Sequence, residues 1–163
     1  MGEHERLWAP WRIGFILGPR EEGCFLCRLP AERADRQNYL LERGSRAFVC
    51  LNAFPYTNGH LLVSPYRHAG DFQVLESDEM SEMMQLAQRW MGIMSETMKP
   101  HGFNLGMNLG AAAGAGVADH LHLHVVPRWG GDHNFMSTVA DIRLINQSLE
   151  ECFELLAGRA AAR

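Results

Sequence analysis

The seven residues His120-Leu121-His122-Leu123-His124-Val125-Val126 constrain this chain more than any other stretch. Histidine alternates strictly with aliphatic residues, and in a strand successive side chains point to opposite faces. His120 to Pro127 therefore reads as a strand, with three imidazoles on one face and Leu121, Leu123 and Val125 entering a core on the other. One metal cannot take all three rings. At about 3.3 Å per residue the outer two backbones lie roughly 13 Å apart, beyond the reach of two imidazole–metal arms. Local hydrogen bonding would be the ordinary explanation for a lone histidine, but three at alternate positions fit catalysis better. Neutral imidazole is a nucleophile near pH 7, and attack on phosphorus gives a phosphoramidate that is readily displaced. The middle residue, His122, suits that role, because its neighbours can donate hydrogen bonds to phosphate oxygens.

Upstream lies Gly110-Ala-Ala-Ala-Gly114-Ala-Gly116, a loop without bulky side chains whose backbone N–H groups a phosphate could approach closely. Arg128, just past Pro127, could add positive charge. Two further strands are expected at Ala47 to Leu51 and His60 to Val63, separated by the turn-rich stretch Asn52 to Gly59, and another at Phe103 to Asn108. Ser77 to Lys99 reads as the clearest helix, with Ser77 as its cap and Pro100 beyond its end. Met80, Met83, Met84, Ala87, Met91, Met94 and Met98 recur there at helical spacing, a stripe assigned to the core. A short helix is expected around Pro30 to Asn38 and an amphipathic one from Asp141 to Leu156. Strands joined by short loops around one long helix give an α+β class with an antiparallel sheet.

With 163 residues there is room for one ordinary domain, and 47% hydrophobic residues can bury its core. The net charge of −4 comes without a basic stripe, which argues against coating a nucleic acid. Mean hydropathy is −0.18, and no apolar run approaches the roughly 18–20 residues of a membrane helix. Met1 to Arg6 is charged and no secretory pattern follows, so a cytoplasmic location is expected. Four cysteines are too few for a disulfide framework. The close pair Cys24-Phe-Leu-Cys27 points to metal or redox chemistry, while Cys50 and Cys152 sit in apolar patterns and read as core. His4, His101 and His133 are given surface or capping roles.

His120 to Val126 resembles the signature of the histidine triad (HIT) superfamily, three histidines alternating with apolar residues. Asn52 followed by Gly59-His60-Leu-Leu-Val-Ser-Pro65 is similar to a second block of that family, and Phe103-Asn104 with Asn108-Leu-Gly110 to a third. Leu7-Trp-Ala-Pro-Trp-Arg12 and Trp129-Gly-Gly-Asp132-His-Asn-Phe135 look like the bacterial branch related to diadenosine tetraphosphate phosphorylases and fragile-histidine-triad hydrolases. The resemblance implies a HIT-like fold, a five-stranded antiparallel sheet with a long central helix and a C-terminal helix, pairing as a homodimer. Residues 1–40 would form an N-terminal segment, 41–136 the HIT core and 137–163 the C-terminal helix. It further implies that His122 attacks the α-phosphorus of a dinucleoside polyphosphate and that water or phosphate resolves the nucleotidyl-histidine. His124 would bind phosphate oxygens or the leaving group, His60 would orient the nucleophile, Asn52 would meet the ribose, and Asn108 would help place the phosphate chain. Asn104, Gly114, Gly116 and Arg128 complete the nucleotide site. Structural zinc would be held by Cys24, Cys27, His68 and His120, with a redox pair or idle thiols as the other reading. Where many members carry a polar pair before the triad, this chain has Gly116-Val117, which leaves the choice of acceptor open. An adenylyl phosphoramidase, or a nucleotide-sensing protein with little turnover, is the alternative.

Overall fold

Ala47–Leu51 and Leu61–Pro65 are buried at every position, as expected of central strands covered on both faces. In the computed structural model, which describes residues 23–132 and 145–162, they are β2 and β3. Leu40–Arg43 is β1, Gly102–Gly106 β4 and Leu123–Arg128 β5. All neighbours pair antiparallel, in the spatial order β1-β2-β3-β5-β4. Among the described residues three α-helices accompany the sheet: α1 Phe25–Ala31, α2 Ser77–Thr97 and α3 Leu149–Ala161.

The strand period divides the apolar residues between two faces. Val49, Leu51, Leu61, Val63, Leu123 and Val125 pack with Met83, Trp90 and Ile93 of α2 and with Phe153 and Leu156 of α3. Phe48, Cys50 and Leu62 pack on the other side with Leu26 of α1 and with Leu40. Register decides which side carries the histidines. Leu62 stands opposite His124, and so does Gly106 from β4. Cross-strand partners point the same way, so the His124 ring shares a face with Leu62 rather than with the helical core.

Several expectations shift. Strand hydrogen bonding begins at Leu123, so His120 to His122 precede β5 instead of lying within it. Ala47–Leu51 keeps its expected bounds, the strands expected at 60–63 and 103–108 move by one or two residues at their ends, and β1 carries no strong pattern of its own. The helix expected at Pro30 to Asn38 is instead α1, with Pro30 in its last turn and turns following at 35–39. The long helix is capped by Glu76, not Ser77. Its carboxylate accepts from the third residue's N–H while Glu79 reaches back, a reciprocal cap that an acidic pair three apart can form. Met83 and Met94 are buried, but Met84 is 53% exposed, and Leu86, Trp90 and Ile93 carry much of the packed face. The C-terminal helix starts at Leu149, where Ser148 and Glu151 form a capping box. Residues 141–144 of its expected start, and His4 and His133, lie outside the described residues.

The β1–β2 turn is tied to α2 by one carboxylate. Glu82 accepts from the backbone N–H groups of Ser45, Arg46 and Ala47. Burial pushes its pKa up, but these three donors outweigh it and hold the carboxyl below its usual range. Glu82→Ala leaves three N–H groups without this partner, an expected loss of about 2 kcal/mol. For a chain of this size the thermal midpoint should fall by roughly 4–8 °C; an unchanged midpoint would show that the turn is held by other contacts.

Candidate active site and metal cluster

Hydrogen bonds settle which nitrogen of each ring carries its proton. His122 Nδ1 lies 2.9 Å from the carbonyl oxygen of His120. A carbonyl only accepts, so Nδ1 holds the hydrogen and Nε2 keeps its lone pair. In His60, Nδ1 accepts from the backbone N–H of Tyr56 at 3.1 Å and faces the Asn52 amide at 3.2 Å. Its Nε2–H must then donate to His124 Nδ1, 2.9 Å away. That leaves the His124 proton on Nε2, which is buried without a hydrogen-bond partner among the described residues. A lone pair on His122 and an unmatched donor on His124 thus stand on neighbouring rings, whose centroids are 4.8 Å apart.

The His60 and His124 rings are neutral. Burial, with the His124 and His122 rings adding to it, brings His60 down to about 3, and burial followed by His122 brings His124 to about 4. Tyr56 stacks beside both, with centroids 4.6 Å from His60 and 5.8 Å from His124. Gly59 sets up the approach of His60. It has φ +74° and an added Cβ would lie 2.9 Å from Met98 Sδ, so only glycine fits there without strain.

His120 turns to the cysteine pair at the start of α1. Its Nε2–H donates to the Pro65 carbonyl at 3.0 Å, which frees the Nδ1 lone pair. Nδ1 lies 3.2 Å from Cys24 Sγ and 3.4 Å from Cys27 Sγ, and His68 Nδ1 lies 3.3 Å from Cys27 Sγ. All four ligand atoms fall within 4.8 Å of one another. A tetrahedral site with the usual metal–nitrogen and metal–sulfur bonds has N···S edges of about 3.5 Å. The four side chains therefore fit a closed, four-coordinate metal. Burial lowers the His120 pKa, an environment that keeps the ring in its ligating, neutral form.

The remaining expected residues are arranged as follows. Gly110 and Gly114 both have positive φ, on either side of a 3-10 turn at Ala111–Ala113. Asn108 donates to the Gly114 carbonyl at 3.4 Å and so ties β4 to that loop. Asn52 accepts from Phe54 N–H while its amide faces His60. Arg128 is held by Asp132 through two nitrogens and donates to Asn104 at 2.7 Å. Its charge is therefore already matched. Beside His124 opens a cavity of about 770 Å³ whose wall includes Tyr56, Asn58, Asn104, Arg128 and Trp129. Tyr56 and Asn58 carry no sequence signal beyond their place in the turn-rich 52–59 stretch.

A histidine-faced antiparallel sheet of this order, with the triad entering its fourth strand in space, agrees with the match of a HIT domain profile to residues 36–131. The chain belongs to the HIT domain family. An AP-4-A phosphorylase of Mycobacterium tuberculosis is 37% identical over 161 residues, covering 94% of this chain and 83% of that protein. An adenosine 5′-monophosphoramidase of Schizosaccharomyces pombe is 25% identical over 105 residues, covering 64% of this chain and 74% of that one. Among solved structures, a Zn-bound histidine triad family protein from Mycobacterium smegmatis aligns with a TM-score of 0.71 at 29% identity, over 86% of this chain and 94% of its own.

An unfolded imidazole protonates near 6.5, whereas folded His60 stays neutral to about 3. Its contribution to stability is thus complete above pH 6.5 and is lost progressively as the pH falls below that value. Ring nitrogen spectra of ¹⁵N-labelled protein should show His60 and His124 neutral at pH 5.5, both protonated on Nε2. A cationic ring at either position would contradict the assigned hydrogen-bond chain.

Proposed function

We propose that this protein cleaves dinucleoside polyphosphates at the α-phosphorus through a nucleotidyl-His122 intermediate. The observation that carries the reading is the His122 ring, whose Nδ1–H is committed to the His120 carbonyl and whose Nε2 is left as a lone pair beside the donor of His124. Similarity to the M. tuberculosis AP-4-A phosphorylase supports the substrate class. In the first step His122 Nε2 forms a bond to phosphorus and the bridging P–O bond breaks, its electron pair leaving on the departing phosphate. That phosphate is a stable anion near neutral pH, so a hydrogen bond from neutral His124 suffices and no proton is transferred. In the second step an oxygen of water or inorganic phosphate bonds to phosphorus. The P–N electron pair then returns to Nε2 and the acceptor's proton goes to solvent. His60 positions His124, and His120 positions His122 through its carbonyl. Asn52 meets the ribose, Asn108, Gly114 and Gly116 shape the phosphate cradle, and Asn104 and Arg128 contribute hydrogen bonds to the nucleotide rather than net charge.

The S. pombe relative favours a second reading, cleavage of an adenosine phosphoramidate by the same two steps. A purely sensing protein would have no use for the free lone pair of His122. Turnover of diadenosine tetraphosphate, followed with and without phosphate, separates these readings. We expect His122→Ala to lose about a thousandfold or more in kcat, and ADP to form only if phosphate is the acceptor. Near-normal turnover in His122→Ala overturns the nucleophile, and preference for the phosphoramidate overturns the substrate class.

The same reading places zinc at Cys24, Cys27, His68 and His120, where it would neutralise two thiolates and anchor α1 to the end of β3. The Zn-bound M. smegmatis structure supports the choice of metal. Protein purified without chelator should hold close to one zinc per chain, and Cys24→Ser far less, with a lower thermal midpoint. Equal zinc in both would contradict the site. The edge strand β4 pairs only with β5 among the described residues and exposes Leu105, with Leu109 exposed just past its end. We assign that edge to a second copy of the chain; a single-subunit mass in solution would contradict the dimer. All four cysteines are free thiols, in keeping with the cytoplasm as its compartment.

A further inference from the structure

The cavity beside His124 is larger than the transfer step itself needs. Its wall takes in His124, Val126 and Arg128 of β5, but not His122, and not Asn52. We propose that it receives the departing half of the substrate, with the second nucleoside's base stacked on Trp129; the inference rests on the polyphosphate-cleaving reading above. In a displacement at phosphorus the attacking and leaving atoms lie roughly in line. Attack from His122 therefore sends the leaving chain away from that ring, past the unmatched Nε2–H of His124. Gly106, opposite His124 in the register, leaves the passage open, since a Cβ there would meet nothing within 4 Å.

The far end of the cavity suits an uncharged group. Arg128 is matched by Asp132 and also bonded to Asn104, so this wall offers donors and acceptors but little net charge for a phosphate. Trp129 is fixed before any ligand arrives. Its Nε1–H donates to the Met98 carbonyl at 3.2 Å, and its backbone N–H points to the Asp132 carboxylate. The next residue, Gly130, donates to His101 Nδ1 at 2.7 Å. An aromatic ring held in this way is a ready platform for a base, at small ordering cost. A volume of about 770 Å³ is in the range of cavities that enclose small molecules.

The test compares diadenosine tetraphosphate with adenosine 5′-tetraphosphate, which share the adenylyl group and the phosphate chain and differ by the second nucleoside. We expect Trp129→Leu to lower the ratio of kcat/KM for the dinucleotide over the mononucleotide by about ten- to a hundredfold, the usual worth of one base stack. Trp129→Phe should restore most of the ratio. A ratio unchanged in Trp129→Leu, or one that Trp129→Phe fails to restore, overturns the inference while leaving the nucleophile intact. A wild-type protein that turns over neither compound overturns the enzymatic reading itself, and the inference with it.

Discussion

The hydrogen bond from His122 Nδ1 to the His120 carbonyl is the contact on which the proposed chemistry depends. Its net worth to stability is small, about 1 kcal/mol. Its consequence is not, because it decides that the free lone pair is on Nε2 and, in the proposed step, leaves Nδ1–H to share the charge that develops as Nε2 bonds to phosphorus. The acceptor is held still from several directions. Leu121 N–H donates to the Ala69 carbonyl at 2.8 Å, Ser64 Oγ donates to the Leu121 carbonyl at 2.9 Å, and the His120 ring is pinned to Pro65. The backbone carrying the first two histidines is therefore fixed before β5 begins.

One residue joins two sites. His120 offers Nδ1 to the cluster formed with Cys24, Cys27 and His68, and its carbonyl to His122. Whatever occupies the cluster thus holds the residue that sets the His122 tautomer. On the other side of His122, the chain from Tyr56 through His60 to His124 passes a defined tautomer outward and ends in a buried donor with no partner. A buried group in that state costs free energy unless something comes to meet it. A phosphate oxygen would.

Much of this was legible in the residues because periodicity and side-chain chemistry are local. The His120–Val126 alternation located the histidines that gather beside the cavity and the metal-type cluster, and the turn-rich stretch before His60 located the loop that positions that ring. The Cys24–Cys27 spacing pointed to metal or redox chemistry, while the partners His68 and His120 came only from resemblance, since nothing in the spacing brings residues 41 and 96 positions away onto a thiol. Boundaries failed where tertiary contacts override propensity. β1 exists because β2 offers it an edge, and the long helix begins at Ser77 as expected but takes its cap from Glu76 because Glu79 completes the box. Arg128 looked like a phosphate cation in sequence. Its carboxylate partner lies four residues on, a pairing that depends on the tight turn at Gly130 and Gly131 rather than on any strand or helix period.

The most direct measurement is the attachment atom in a trapped reaction intermediate. Protein labelled with ¹⁵N at histidine, mixed with excess diadenosine tetraphosphate and quenched in base within the first turnover, should carry one nucleotidyl group, with phosphorus–nitrogen coupling to Nε2 of His122 and its Nδ1 still protonated. Phosphorus on Nδ1, on His124 or on no histidine at all, while products continue to form, would contradict the proposed role of that ring.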